Sequence, residues 1–269
     1  MQQKKKNDKQ PQLVVKPILI GEWNSKEAYR LAPKRALSIL LVAVVYVFFS
    51  VMAGFENPIL RVVISLSIIG VVFFYQYTKG MELGEKDAAF SEIMYERQQE
   101  GRPVSEEDRR RCFHPFRGMF ASFLGALPFV IICLVYAFMA KPWQYQLGIL
   151  PSWTKNMLAH NEMGDALSYY NISRSIGTTD IFRIIVRCLT LPFINIATVF
   201  GNKPLLWAER LAALFVLIPP AGFGIGYSRG HALRTRINTG IMQGVEKKKR
   251  KERKARKQRQ RSSSPERLI

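Results

Sequence analysis

Four stretches of this sequence are apolar over about the length a helix needs to cross a bilayer, and they are nearly free of charge. A hydrocarbon core of roughly 30 Å takes about 20 residues at the helical rise. ALSILLVAVVYVFFSVMAG (36–54), PILRVVISLSIIGVVFFYQY (58–77) and GMFASFLGALPFVIICLVYAFMA (118–140) satisfy that requirement as they stand. LAALFVLIPPAGFGIGY (211–227) satisfies it when extended back to Leu205. Lipid offers the backbone no hydrogen-bond partners, so a spanning segment of this kind must satisfy itself as a helix. The expected fold class is therefore all-α, a polytopic transmembrane helical bundle of four spans with an additional interfacial or re-entrant helix. About 35 mostly polar residues precede the first apolar block, unlike a cleaved secretory signal, and the first span is expected to start insertion itself.

Lys and Arg close to the spans set their orientation. Residues 1–35 carry nine, the GFENP turn at 54–58 none, and 79–118 eight. Residues 141–206 carry six over a longer stretch, and the tail beyond Tyr227 carries fifteen. This places a basic N-terminal segment (1–35) in the cytosol, followed by a transmembrane hairpin (36–77). A cytosolic helical hairpin (78–117) and a third span (118–140) come next. The outer segment is 141–204, the fourth span 205–228 and the basic cytosolic tail 229–269, largely disordered at its end. The expected location is the plasma membrane, with both termini cytosolic.

That assignment turns on IFRIIVRCLTLPFINIATVFG (181–201), which is long enough to span but carries Arg183 and Arg187 in its first turns. A fifth crossing would put the polybasic tail outside, so this segment is read as interfacial or re-entrant. Thr178, Thr179 and Asp180 are N-cap candidates. Pro192 should kink the helix. Arg183 and Arg187, four apart, share a face.

In the cytosolic loop, Ala89, Phe90, Ile93, Met94 and Arg97 follow helical spacing, Gly101 and Pro103 stop the helix, and Ser105 caps a second one. Its apolar stripe needs a partner, either the cytosolic ends of the chain's own spans or another protein docked at 80–118. Outside, Trp143, Tyr145 and Trp153 suit a membrane interface, and NIS (171–173) matches a glycosylation sequon.

No catalytic constellation emerges, and a non-enzymatic protein without a cofactor is expected. Cys112, Cys133 and Cys188 have no paired spacing. CFHP (112–115) offers Cys112 and His114 but no second cluster, with His160 and His231 isolated, and zinc needs three or four ligands; no metal site is assigned. GFGIG lacks the dinucleotide fingerprint, but Gly222, Gly226 and Gly230 form a small-residue face for close helix packing. Pro219 and Pro220 should kink the fourth span, and Pro128 the third. Arg183, Arg187, Asn195, Glu209 and Arg210 form the candidate polar pathway or interfacial cluster, since charge at membrane depth marks function by default.

The tail concentrates eleven Lys/Arg against Glu252 in 247–261. Lys247, Lys248, Lys249, Arg250, Lys251, Arg253 and Lys254 are the candidate contacts to anionic lipid headgroups or other phosphates. Nucleic acid or a ribosome would use the same charge, and SSSPER (262–267) offers a phosphorylation switch. The leading expectation is an accessory or scaffold subunit of a membrane complex. A small transporter or permease subunit and an insertase-like or ribosome-associated factor are the alternatives.

Overall fold

The computed structural model describes residues 15–52, 55, 57–141 and 177–262. The N-terminal dozen residues, Trp143, Tyr145, Trp153, His160, the NIS sequon and most of the SSSPER segment lie outside them. Among the described residues all regular structure is helical, with no strand. The order is α1 (Lys26–Met52), α2 (Pro58–Gln99), α3 (Glu106–Arg111), α4 (Arg117–Met139), α5 (Thr178–Val199), α6 (Asn202–Arg210), α7 (Ala212–Val216), α8 (Ile218–Ser228) and α9 (Gly230–Ser262). Helices α1, α2, α4 and α5 are long and apolar enough to cross a membrane, and α6 with α7–α8 forms a pair bent by 58° that counts as a fifth candidate. The protein is an all-α helical membrane bundle. The break falls in the pair covering 202–228, while the segment read as interfacial, now α5, equals a span in length and apolarity.

The proline effects differ by position. Pro128 lies inside an unbroken α4. Pro219 and Pro220 sit at the second and third positions of α8, where an N–H has no helical acceptor anyway, and the helix breaks just before them at Leu217. In α5 the backbone leaves helical geometry at Thr190 (φ −129°, ψ 19°). The Pro192 ring has no N–H for the Cys188 carbonyl, and its bulk pushes that turn open.

The chain divides into two compact units. The first takes the described parts of 1–30, 76–121 and 222–269. Here the polar continuation of α2 runs parallel to α8–α9 at the distance of backbone contact. A Cβ at Gly80 would lie 2.1 Å from the Phe223 carbonyl oxygen, at Gly84 2.3 Å from that of Tyr227, and at Gly226 2.0 Å from that of Tyr77. One at Gly230 would lie 2.2 Å from the Gly84 carbonyl carbon. Gly222 is buried on the same helix. Farther along, Arg234 binds Glu85 and Glu92 at 3.0 Å each, and Asn238 donates to Glu92 at 2.7 Å. The buried face of 84–95 is therefore small and polar: Gly84, Ala88, Ser91 and Glu92 are buried with Met94. Ile93, expected in the apolar stripe, is 47% exposed.

The second unit takes the described parts of 31–75 and 122–221. Helix α1 meets α4 where a Cβ at Gly125 would lie 2.5 Å from the Ala32 carbonyl oxygen. Ile39, Ala126, Cys133, Tyr136, Val186, Leu189, Ala212, Ala213 and Val216 form one core cluster. Phe193 stacks on Phe215 at 4.5 Å and meets Tyr46 edge-on. Large apolar side chains also face outward: Leu41, Val44, Phe48 and Val51 on α1, Ile59 and Val63 on α2, and Phe138, 90% exposed, on α4. In water such surface is untenable, but hydrocarbon solvates it.

Gly226→Ala and Gly84→Ala should each lower stability by about 1–3 kcal/mol, because the added methyl meets rigid backbone. Gly240→Ala, with nothing within 4 Å of the added carbon, should be neutral or stabilising by up to about 1 kcal/mol through helix propensity. Thermal unfolding in detergent compares the three.

Candidate functional site

Two polar clusters are built into the bundle, and both use arginine to finish a helix end. The first forms at the C-terminal end of α4, whose last carbonyls have no partner within the helix. Arg183 Nη2 donates to the Lys141 carbonyl at 2.5 Å, and Arg210 Nη2 to that of Ala140 at 3.4 Å. Cations at a helix C-terminus also complement its dipole. Arg183 Nε donates to the Tyr136 hydroxyl at 2.7 Å, and that hydroxyl donates to Glu209 Oε2 at 2.8 Å. Arg187 reaches Glu209 Oε1 through Nη2 at 2.6 Å and Nε at 2.7 Å, while Arg183 Nε lies 3.5 Å from Oε2. Glu209 is 2% exposed.

The sequence places Arg183 and Arg187 one turn apart on α5, and α6 returns alongside to bring Glu209 between them. Of the candidate cluster, Arg183, Arg187 and Glu209 come together, and Arg210 sits exposed at the rim with its guanidinium 5.8 Å from the Trp207 ring. Asn195 does not join them; its Nδ2 donates to the Ser50 carbonyl at 3.2 Å, in the last turns of α1. Tyr136, the bridge, escapes sequence reasoning because a tyrosine near a span's end reads as an interfacial aromatic.

The second cluster lies in the other unit, around Arg117. Its guanidinium is 2% exposed and covers the end of α3, a helix too short to satisfy its own carbonyls. Nη1 donates to the Arg111 carbonyl at 2.6 Å, and Nη2 to that of Arg110 at 2.7 Å and to that of Cys112. Nη2 and Nε also hold the Glu22 carbonyl at 3.1 and 3.3 Å. Nη1 lies 3.6 Å from Asp87 Oδ2, which accepts from the Tyr227 hydroxyl. Burial raises the Asp87 pKa, against the pull of Tyr227 and Arg117. One side chain thus ties the extended N-terminal segment, α2, α3 and α4 together. Gly21 N–H adds a bond to the Phe113 carbonyl at 3.0 Å.

CFHP belongs to this packing. Cys112 is fully buried, its Sγ donates to the Asp108 carbonyl at 3.3 Å, and burial pushes its pKa up. His114 Nδ1 accepts from the Phe116 N–H at 3.3 Å, and His231 lies 6.3 Å from the Phe113 ring. Among the described residues no three His, Cys, Asp or Glu side chains are grouped to hold a metal. The tail candidates Lys247, Lys248, Lys249, Arg250, Lys251, Arg253 and Lys254 are all exposed on α9.

No protein-family model matches this chain, no curated protein matches it, and no solved structure matches its fold.

Glu209→Gln leaves one buried and one half-buried guanidinium without their carboxylate and should cost about 3–5 kcal/mol, the penalty for breaking a buried pair. Arg210→Gln, at the exposed rim, should cost about 1 kcal/mol or less. Unfolding midpoints in detergent at neutral pH give the comparison.

Proposed function

We propose that this integral membrane protein is a non-enzymatic accessory or scaffold subunit of the plasma membrane. In this reading a braced helical platform on the cytosolic side docks a protein partner. The carrying observation is an exposed apolar row on that platform. Ile237, Ile241 and Val245 recur every fourth residue on α9, at 37, 58 and 44% exposed. The adjoining face of the same helix, about a third of a turn round, is buried through Thr235, Asn238 and Thr239. A stripe at i, i+4 and i+8 on a helix already held by its adjoining side is the form a partner helix recognises. Arg117 and the Arg234–Glu92–Asn238 network brace the platform, which supports a docking role over a catalytic one. The Arg183–Glu209 cluster is engaged with itself and with the end of α4, which supports an anchoring role over a permease path.

The reading includes four crossings, made by α1, α2, α4 and α7–α8, with α5 and α6 as an outer helical hairpin. By the charge rule α1 and α4 both run outward. Helix α5 touches the C-terminal ends of both, through Arg183 to Lys141 and Asn195 to Ser50. A crossing helix would meet such neighbours at opposite depths. Helix α7–α8 instead runs antiparallel along α4: Ser122 Oγ donates to the Pro220 carbonyl at 3.0 Å, and a Cβ at Gly224 would lie 2.8 Å from Met119 Cα. Its 17 residues, Ala212–Ser228, rise about 25 Å.

Two outcomes are expected. Cross-linking in membranes with Ile241→Glu plus Val245→Glu should lose at least one protein captured by the wild type, at an unchanged unfolding midpoint; an identical capture list would count against docking here. In intact cells a membrane-impermeant maleimide should label Asn202→Cys and not Ala255→Cys. Labelling of both would mean a fifth crossing and an external tail.

A further inference from the structure

We propose that the distal half of α9, from Gly244 onward, is a docking rod for the phosphate backbone of a folded nucleic acid and stands clear of the protein's own membrane. The sequence alone, with no aromatic side chain in the basic run, favours lipid headgroups or nonspecific phosphate contact for this charge and leaves nucleic acid as the alternative. Geometry separates them. The basic run is part of a continuous helix, Gly230–Ser262, and every residue from Gly244 to Arg259 is exposed. Lys247 lies 18 residues beyond Arg229, the first charge past the apolar stretch, which is about 27 Å along the axis, and Arg259 lies about 45 Å along it.

The direction is set by α2, which continues without interruption from its apolar part to Gln99. Helix α9 follows it in parallel through Arg234 with Glu85 and Glu92, then Asn238 with Glu92. A helix tilt of about 20° shortens the rise by less than a tenth. The charges thus begin about two screening lengths beyond the headgroups, since the Debye length is about 8–10 Å in physiological salt.

The helix surface gives a second, independent reason. A helix lying on lipid needs one apolar face, and between Glu246 and Arg259 the lone apolar residue is Ala255. The positive charge goes all the way round. Lys247 and Lys251, Lys249 and Arg253, Arg250 and Lys254, and Arg253 and Lys257 are like charges four apart, each pair repelling; Glu246 meets Arg250 at 3.9 Å. Such a helix is relieved by a ligand that presents anions on more than one side. The groove of a duplex does so, and at about 12 Å the major groove of DNA admits a helix. The segment 244–259 has no aromatic side chain to stack on bases, so the contacts are to phosphates and carry no sequence preference.

The test uses full-length protein in nanodiscs of purely zwitterionic lipid. Fluorescent RNA and DNA duplexes of about 20 base pairs are titrated by anisotropy at about 0.1 M salt. The wild type is compared with a variant in which Lys247, Lys248, Lys249, Arg250, Lys251 and Arg253 are all changed to Gln. The expected result is an affinity loss of more than about tenfold and a salt dependence shallower by about five in log–log slope for six charges removed. Preference for either duplex, or equal binding, supports the proposal and names the source; unchanged affinity in the variant overturns it. In a second arm, trypsin cleavage within the wild-type tail is followed in neutral and in anionic nanodiscs. The expected result is equal rates in the two lipids and at least tenfold slowing by duplex. Protection by anionic lipid, with or without protection by duplex, overturns the claim that the rod stands clear of the leaflet.

Discussion

A helix that ends at the edge of hydrocarbon leaves carbonyls with neither a helical donor nor free water, and that constraint organises this protein. Its recurrent answer is an arginine guanidinium, which brings several donors on one rigid plane. Arg117 covers the end of α3, and Arg183 and Arg210 cover the end of α4. At the start of α2, Arg61 turns back to the Phe55 carbonyl through Nη2 at 2.6 Å. Arginines inside or beside apolar blocks are therefore donors placed where the backbone needs them. The charges of Arg183 and Arg117 are then met by Glu209 in one unit and Asp87 in the other. Because Arg117 and Arg183 each also reach a second chain segment, the side chain that finishes a helix fixes its neighbour.

Much of the helical plan is legible in the residues. The apolar blocks appear as helices, Ser105 caps α3 by accepting from the Asp108 N–H at 3.1 Å, and Gly101 ends α2 with φ 73°. The glycines on α8–α9 announce a close approach, but their counterparts Gly80 and Gly84 hide in a stretch that reads as a polar loop. That approach explains the misphased stripe on α2. Where two backbones nearly touch, the buried face must be small, and its polar members Ser91 and Glu92 are tolerable because Phe113 N–H, Arg234 and Asn238 satisfy them. Periodicity of apolar residues does not register a face of that kind.

The charge partners were the least legible. Arg117 precedes an apolar block and so looks like one more positive flank, and nothing local marks the four carbonyls gathered around it. Helix α5 presents a different ambiguity, since an apolar helix of span length has the same composition whether it pierces the lipid or lies across the ends of other helices. What bears on the choice is tertiary, the bonds to Lys141 near one end and to Ser50 near the other.

The pairing of α2 with α8–α9 carries a consequence for biogenesis. These segments are separated by about 140 residues, so the second helix emerges from the ribosome long before its companion exists. Until then Glu85, Glu92 and the narrow glycine seam stay open, and the nascent chain holds an acidic face without its partner. Emergence of α8–α9 covers that face, so this unit becomes solid only after about 140 further residues have been made.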